Sequence, residues 1–155
     1  NIMVDTKGVP DQYVQKYSTE VESALAKHGL LKGALFISDR TPKNNQDKVA
    51  KWFLGKAKVS LRVSLAEAIE MKEKNPTGFA DKYFVFNSMK DLSKDEIAGF
   101  QKLGLWVIPS INTSHYKTGD PLVQGLDDVQ TMLDYGVDGL QIDSCFDPVI
   151  FSNKM

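Results

Sequence analysis

The sequence predicts an α/β fold built of parallel strand–helix units, and three observations carry that prediction. Six short apolar runs recur along the chain, their starts roughly 20 to 35 residues apart, the length of a strand, a crossover helix and two loops. The segments between the runs show helical periodicity with their own start and stop signals. The runs are near-continuous apolar stretches rather than apolar/polar alternations, as expected of strands covered by helices.

The first run is "IMVD", from Ile2. Val14, Tyr17, Val21 and Leu25 follow at helical spacing, and Gly29 ends that helix. After "ALFIS" from Ala34, Thr41-Pro42 opens a second helix with Val49, Trp52 and Phe53 on one side and Gly55 at its end. "VSLRV" from Val59 leads to Ser64 and Glu67. "YFVFN" from Tyr83 leads to Ser93 and Glu96. Both Ser/Glu pairs have capping-box spacing, in which the Ser accepts an orphan N–H and the Glu reaches back to the cap. Ile97, Phe100 and Leu103 form the inward stripe of the second of these helices, before Gly104. "LWVIPS" from Leu105 precedes a helix carrying Val129, Met132 and Leu133 and stopped at Gly136, and "GLQID" from Gly139 is the sixth run. Five crossovers thus serve six strands. Trp52, Trp106 and the Phe residues are assigned to the core.

The chain has 155 residues, read as a single domain over 1–155, with Lys+Arg 19 against Asp+Glu 20. No basic excess or Lys/Arg-rich run is present to hold a phosphate backbone, which argues against nucleic acid as a partner. No apolar run approaches the ~20 residues that span a bilayer, so no membrane span is expected, and the N-terminus lacks the order of a signal peptide. The opening "NIMVDTKG" has no initiator Met and reads as a start inside a strand, which predicts a fragment or processed product. The single Cys145 leaves no internal disulfide and no Cys-based zinc cluster.

Two α/β architectures compete, an open doubly wound sheet and a closed (β/α)₈ barrel. "TKGVPDQ" and "SDRTPKN" each hold at most one Gly, so the Gly-rich phosphate fingerprint of a nucleotide-binding sheet is missing. A barrel usually takes ~250 residues and eight strands. Six strands would be about three quarters of one; the alternative is a smaller open fold.

Each run ends in polar residues: Asp5 and Lys7, Ser38 and Asp39, Arg62 and Ser64, Asn87, Ser110 and Asn112, Asp143 and Ser144. In parallel α/β folds the C-terminal strand ends form the active face. Asp5 and Lys7, two apart on a strand, point to the same side. The carboxylate suits a hard divalent cation and the ammonium a phosphate oxygen or developing negative charge, although a plain ion pair is equally compatible with the spacing. His28, at a helix end, suits a cap or surface role. His115, in "NTSHYKTGD", lies on the presumed active face but shows no partner in the sequence, and an ordinary loop His is the simpler reading.

Taken in order, "VDTK" (Val4–Lys7), "KHGL" (Lys27–Leu30), "FIS" (Phe36–Ser38), "PSIN" (Pro109–Asn112) and "GVDGLQID" (Gly136–Asp143) resemble successive motifs of the glycerophosphodiester phosphodiesterase family, among the phospholipase-C-like phosphodiesterase barrels. The resemblance is to the C-terminal portion. It implies the last six strands of a TIM (β/α)₈ barrel, with the N-terminal βα units and a catalytic His pair upstream of this chain. It implies metal-dependent hydrolysis of a small-molecule phosphodiester with Ca²⁺ or Mg²⁺; localisation stays open, the resemblance alone leaning toward a secreted or periplasmic place. On the same grounds Asp5 would bind the cation, Lys7 would steady the phosphate as the catalytic residue of this portion, and Arg62, Asn112 and Asp143 would bind substrate. By itself this portion would be inactive.

Departures from the pattern are specific. The family has Glu where Asp5 stands, Trp where Pro109 stands and Thr where Ser110 stands. They support an alternative, a non-catalytic barrel module that binds phosphate or a sugar. An aldolase with Lys7 as Schiff-base nucleophile ranks third, because a Lys beside a carboxylate stays protonated. An incomplete barrel also exposes two strand edges, which predicts homodimerisation through them.

Overall fold

The computed structural model describes residues 1–39 and 46–146. The Thr41-Pro42 helix start falls outside them. The elements run β1 (Ile2–Val4), α1 (Val14–Lys27), β2 (Ala34–Phe36), α2 (Gln46–Phe53), β3 (Lys58–Leu61), α3 (Leu65–Lys74), α4 (Phe79–Lys82), β4 (Tyr83–Val85), α5 (Lys94–Lys102), β5 (Ser110–Ile111), α6 (Pro121–Asp134) and β6 (Gln141–Ile142).

All strand pairings are parallel. β1, β2, β3 and β4 lie side by side in chain order, and β5 pairs with β6. Parallel bridges Val85–Val107 and Ser88–Ser110 join the two sets. Val85 N–H donates to the Trp106 carbonyl, and Ile108 N–H donates to that of Val85. The strand order is therefore sequential, with β1 and β6 at the two ends.

The local reasons for these elements are those visible in the sequence. The Ser64/Glu67 and Ser93/Glu96 capping boxes both form, and they hold the starts of α3 and α5. In each, the hydroxyl and backbone N–H of the serine hold the glutamate's pKa below its usual value. Asp120 caps α6 by accepting from the Leu122 and Val123 N–H groups, and Pro121 occupies the first turn. Gly29, Gly104 and Gly136 take positive φ just past helix ends, the region where a Cβ is costly.

Packing separates the two faces of the sheet. Helix residues Leu25, Val49, Ala50 and Phe53 pack with Phe36 and Val59. Ala68, Ile97, Phe100, Val129 and Met132 pack with Leu61, Val85 and Val107. Tyr83 touches both clusters. On the opposite face Leu35, Ile37, Phe84, Phe86 and Ile108 pack on one another with Met3, and none of them lies on a helix. A doubly wound sheet needs helices on both faces. Here one face takes all the helix packing and the other is filled by the strands' own side chains, which requires the sheet to curl on itself.

Two sequence expectations are corrected. Trp106 is 36% exposed, not core, because it lies at the start of its strand segment under the Lys58 ammonium, 4.9 Å from its ring centroid. Leu133 is half exposed, because α6 turns Val129 and Met132 inward instead.

Candidate functional site

The strand-filled face continues upward into a cavity of about 630 Å³ at the C-terminal ends of the strands. Its lining follows the period-2 rule of extended chain, in which alternate residues share a face. From β1 come Met3, Asp5 and Lys7; from the β2 segment, Ile37 and Asp39; from β3 and β4, Arg62 and Phe86; from β5 and β6, Ser110, Asn112 and Gln141. Gln46, at the start of α2, and His115 complete it.

Asp5 and Lys7 do lie together, with Lys7 Nζ 2.9 Å from Asp5 Oδ2. The other carboxylate oxygen accepts from Gln46 Nε2, and Gln46 is itself buried. The Arg62 guanidinium stands 4.9 Å from the Phe86 ring centroid, an arrangement that fixes its stem against the cavity floor. Ser38 and Ser60 tie the β2 end to β3: Ser38 N–H donates to Ser60 Oγ and Ser38 Oγ to the Ser60 carbonyl, both at 2.8 Å. The Asp39 N–H in turn donates to Asp47 in the first turn of α2.

Asn112 lies in the cavity as expected. Asp143 is placed otherwise. Its carboxylate accepts from the Thr113 N–H at 2.8 Å and from Thr113 Oγ1 at 2.7 Å, and it does not line the cavity. It therefore ties the end of β6 to the 3₁₀ turn Thr113–His115, which carries His115 into the lining. The imidazole Nδ1 accepts from the Asn112 N–H, and the Lys90 ammonium donates to the His115 carbonyl. With Nδ1 as acceptor, the neutral ring carries its proton on Nε2 and is a donor there.

The Thr113 hydroxyl, then its backbone N–H, hold the Asp143 carboxyl below its usual value; the His115 charge adds to this and partial burial opposes it. A depressed carboxylate pKa stabilises the fold above the unfolded value, about 3.9, and that contribution is lost as pH falls through the folded value. Thr113→Val deletes the leading cause, so the Asp143 carboxyl is expected to titrate at higher pH than in the parent. Carboxyl-detected NMR titration of both proteins checks this, and coincident curves would exclude the tie.

The closing "GVDG" has a comparable structural role. Asp138 Oδ2 accepts from the Val107 N–H at 2.8 Å and from Gln101, and the Asp138 N–H donates back to the Val107 carbonyl. The motif thus pins the turn before β6 to the β5 segment.

Ca²⁺ takes six to eight oxygen ligands, several of them carboxylate or carbonyl, whereas Mg²⁺ keeps several waters and uses one or two carboxylates. Among the described residues no three His, Cys, Asp or Glu side chains gather. Both oxygens of Asp5 already accept from Lys7 and Gln46. Among the described residues the cavity carboxylates are Asp5 and Asp39, fewer protein ligands than a Ca²⁺ cage gathers.

Sequence reasoning passed over Gln46 and Gln141. Neither carries a motif, and Gln46 meets Asp5 across 41 residues of chain. Asn87 and Ser38, named among the polar strand ends, fall on the other parity of their strands and lie outside the cavity.

No family model and no curated protein matches the sequence. Among solved structures, a glycerophosphoryl diester phosphodiesterase from Parabacteroides distasonis superposes on 90% of this chain with a TM-score of 0.52 and 14% identity. The two chains share a fold. The match covers 46% of the bacterial protein, so this chain spans less than half of its length. The likeness agrees with the sequential, one-sided packing described above. Among the described residues no helix is long and apolar enough to cross a membrane.

Proposed function

We propose that this chain is the substrate-holding portion of a glycerophosphodiester phosphodiesterase-like hydrolase, its strands being the last six of a (β/α)₈ barrel. The observation that carries the reading is the cavity at the C-terminal strand ends, with Lys7, Arg62, Asn112 and His115 converging on a fold shared with such an enzyme. In parallel barrels this face is where substrates bind and react.

Within this reading Lys7 and Arg62 offer charge-assisted donors to phosphoryl oxygens, and Asn112 and the His115 Nε2–H add neutral donors. Met3, Ile37 and Phe86 form an apolar floor for the carbon skeleton of the esterified alcohol. The catalytic His pair and the donors for a Ca²⁺ or Mg²⁺ ion come from residues beyond those of this chain, as do strands that fill the outer edges of β1 and β6. His115 is the one imidazole among the described cavity residues, too few for separate base and acid roles.

A second reading, a non-catalytic phosphate- or sugar-binding module, is favoured by one observation: the Asp5 carboxylate holds Lys7 and Gln46, a structural role that needs no cation. Assaying the intact protein on glycerophosphodiesters, with and without chelator, separates the two. The hydrolase reading expects chelator-sensitive release of the alcohol. Binding without release in any metal would leave the module, and absence of both would sink the phosphodiester assignment. Residues 1–155 alone are expected to bind the diester without turnover.

A further inference from the structure

We infer that Asp128 and Asp143, acids that do not line the cavity, are positioning residues for His115: through Tyr116 and Thr113 they hold the chain on either side of it and so set its ring for contact with the ligand. That the ligand is a phosphodiester rests on the reading proposed above; how the ring is held does not.

His115 lies in the connection from β5 to α6, on the 3₁₀ turn Thr113–His115, and lines the cavity. Its Nδ1 accepts from the Asn112 N–H at 3.5 Å, a length at which one hydrogen bond does not fix a ring by itself. The place of the ring therefore depends on the backbone that carries it. A contact group held to within about 0.5 Å by its surroundings meets a ligand without first having to be ordered.

That backbone is tied from three elements. Before His115, the Asp143 carboxylate at the end of β6 accepts from the Thr113 N–H at 2.8 Å and from Thr113 Oγ1 at 2.7 Å. After it, the Tyr116 hydroxyl donates to Asp128 of α6 at 2.6 Å, and the Tyr116 ring packs on the cluster that contains Val129 and Met132. Burial, then the Asp128 hydrogen bond, push the phenol pKa above its usual value, so the hydroxyl keeps its proton and stays a donor. At His115 itself the carbonyl accepts from Lys90, on the 3₁₀ turn Met89–Asp91 that follows β4, at 3.1 Å. The same ammonium lies 5.2 Å from the Tyr116 ring centroid. Hydrogen bonds to a charged acceptor are the stronger kind, and both carboxylates grip residues within two positions of the one imidazole in the described cavity lining.

A tie that only stabilises the loop and one that positions His115 differ in one measurable respect. The second loses its effect on ligand binding once the imidazole is removed. The experiment is calorimetric titration of the 155-residue chain with diethyl phosphate, for the parent, His115→Ala, Tyr116→Phe, Asp128→Ala and the double variant of His115→Ala with Tyr116→Phe. Tyr116→Phe keeps the ring and removes the hydroxyl alone, and an unchanged far-UV spectrum is the fold control. His115→Ala is expected to weaken binding about tenfold. Tyr116→Phe and Asp128→Ala are each expected to weaken it about threefold while His115 is present, and Tyr116→Phe is expected to add nothing in the His115→Ala background. A second readout needs no ligand. The chain has two imidazoles, and His28, exposed at the end of α1 and outside the cavity, serves as the reference. In long-range ¹H–¹⁵N spectra of the free parent, His115 is expected to show the Nε2–H tautomer; in Tyr116→Phe and Asp128→Ala its two nitrogen shifts are expected to draw together while those of His28 stay in place.

An equal loss from Tyr116→Phe with and without His115, or no loss in the parent, would overturn the positioning role, as would unchanged His115 shifts in both variants. His115→Ala binding as tightly as the parent would remove the contact that the two acids are inferred to set. Failure of diethyl phosphate to bind the parent would count against the phosphodiester reading, and the ligand-free spectra would still decide whether Asp128 holds the ring.

Discussion

Phe53→Ala is expected to remove about 3–5 kcal/mol of stability, a large share of the ~5–15 kcal/mol that holds a domain folded. The Phe53 ring is fully buried, and it stacks on Phe36 with centroids 3.7 Å apart and planes 9° from parallel. The pair joins α2 to β2 at the centre of the cluster that includes Val49, Ala50 and Val59. Truncation loses the transfer free energy of the ring and opens a cavity that α2 cannot collapse to fill without giving up the packing of Val49 as well. For a chain of this size each kcal/mol is worth about 2–4 °C. A fall in Tm of roughly 6–20 °C by scanning calorimetry is therefore expected. Phe53→Leu, which refills much of the volume, should recover most of it. Equal melting of Phe53→Ala and the parent would show that α2 is not seated on β2 through this ring.

Gly125→Ala is the second large effect, and here the added atom does the damage. A Cβ built on Gly125 would lie 2.3 Å from Phe146 Cζ and 2.5 Å from Cε1, inside van der Waals contact with a ring that is fully buried. The ring cannot swing into solvent without exposing its whole apolar surface, so α6 or the Ser144–Phe146 turn must shift. Overpacking of this kind costs about 1–3 kcal/mol. Phe146→Leu should lose stability alone yet relieve the clash, so the double variant is expected to be less damaged than the sum of the two singles. Strict additivity in denaturant titrations of the four proteins would show that the two residues do not meet. Gly99 is a parallel case, since its added Cβ would fall 2.4 Å from Leu65 Cδ2 where α5 crosses α3.

Neither contact was legible in the sequence. Gly125 interrupts a good helical pattern, and nothing around it announces that a phenylalanine 21 positions later needs the space. The caps were legible because their partners are three residues apart and the chemistry is local: Ser64 with Glu67, Ser93 with Glu96. The same holds for the stripe Val14, Tyr17, Val21 and Leu25, all of which join the cluster around Phe36 and Phe53. The site divides along the same line. Asp5 and Lys7 were found because the period of a strand puts them on one side whatever the fold around them. Arg62, Asp39 and Asn112 were named as strand ends, but so were Ser38, Asn87 and Asp143, and the sequence offered no way to separate the two groups.

Sequence alone determined most of the local units: the apolar segments that extend, the capped starts of α3 and α5, the glycine stops of α1, α5 and α6, and that the strands are parallel with polar ends. These follow from interactions spanning a few residues and from a rhythm of strand and crossover that any chain with this pattern would keep. Only the tertiary structure decided the face of each strand. The strands are apolar on both sides, so their pattern carries no parity; parity was set when the helices took one side and Leu35, Phe84 and Ile108 filled the other. That choice placed Arg62 in the cavity and Asn87 outside it, and brought Gln46 to Asp5. It also left Asp143 holding the turn that carries His115 rather than lining the cavity.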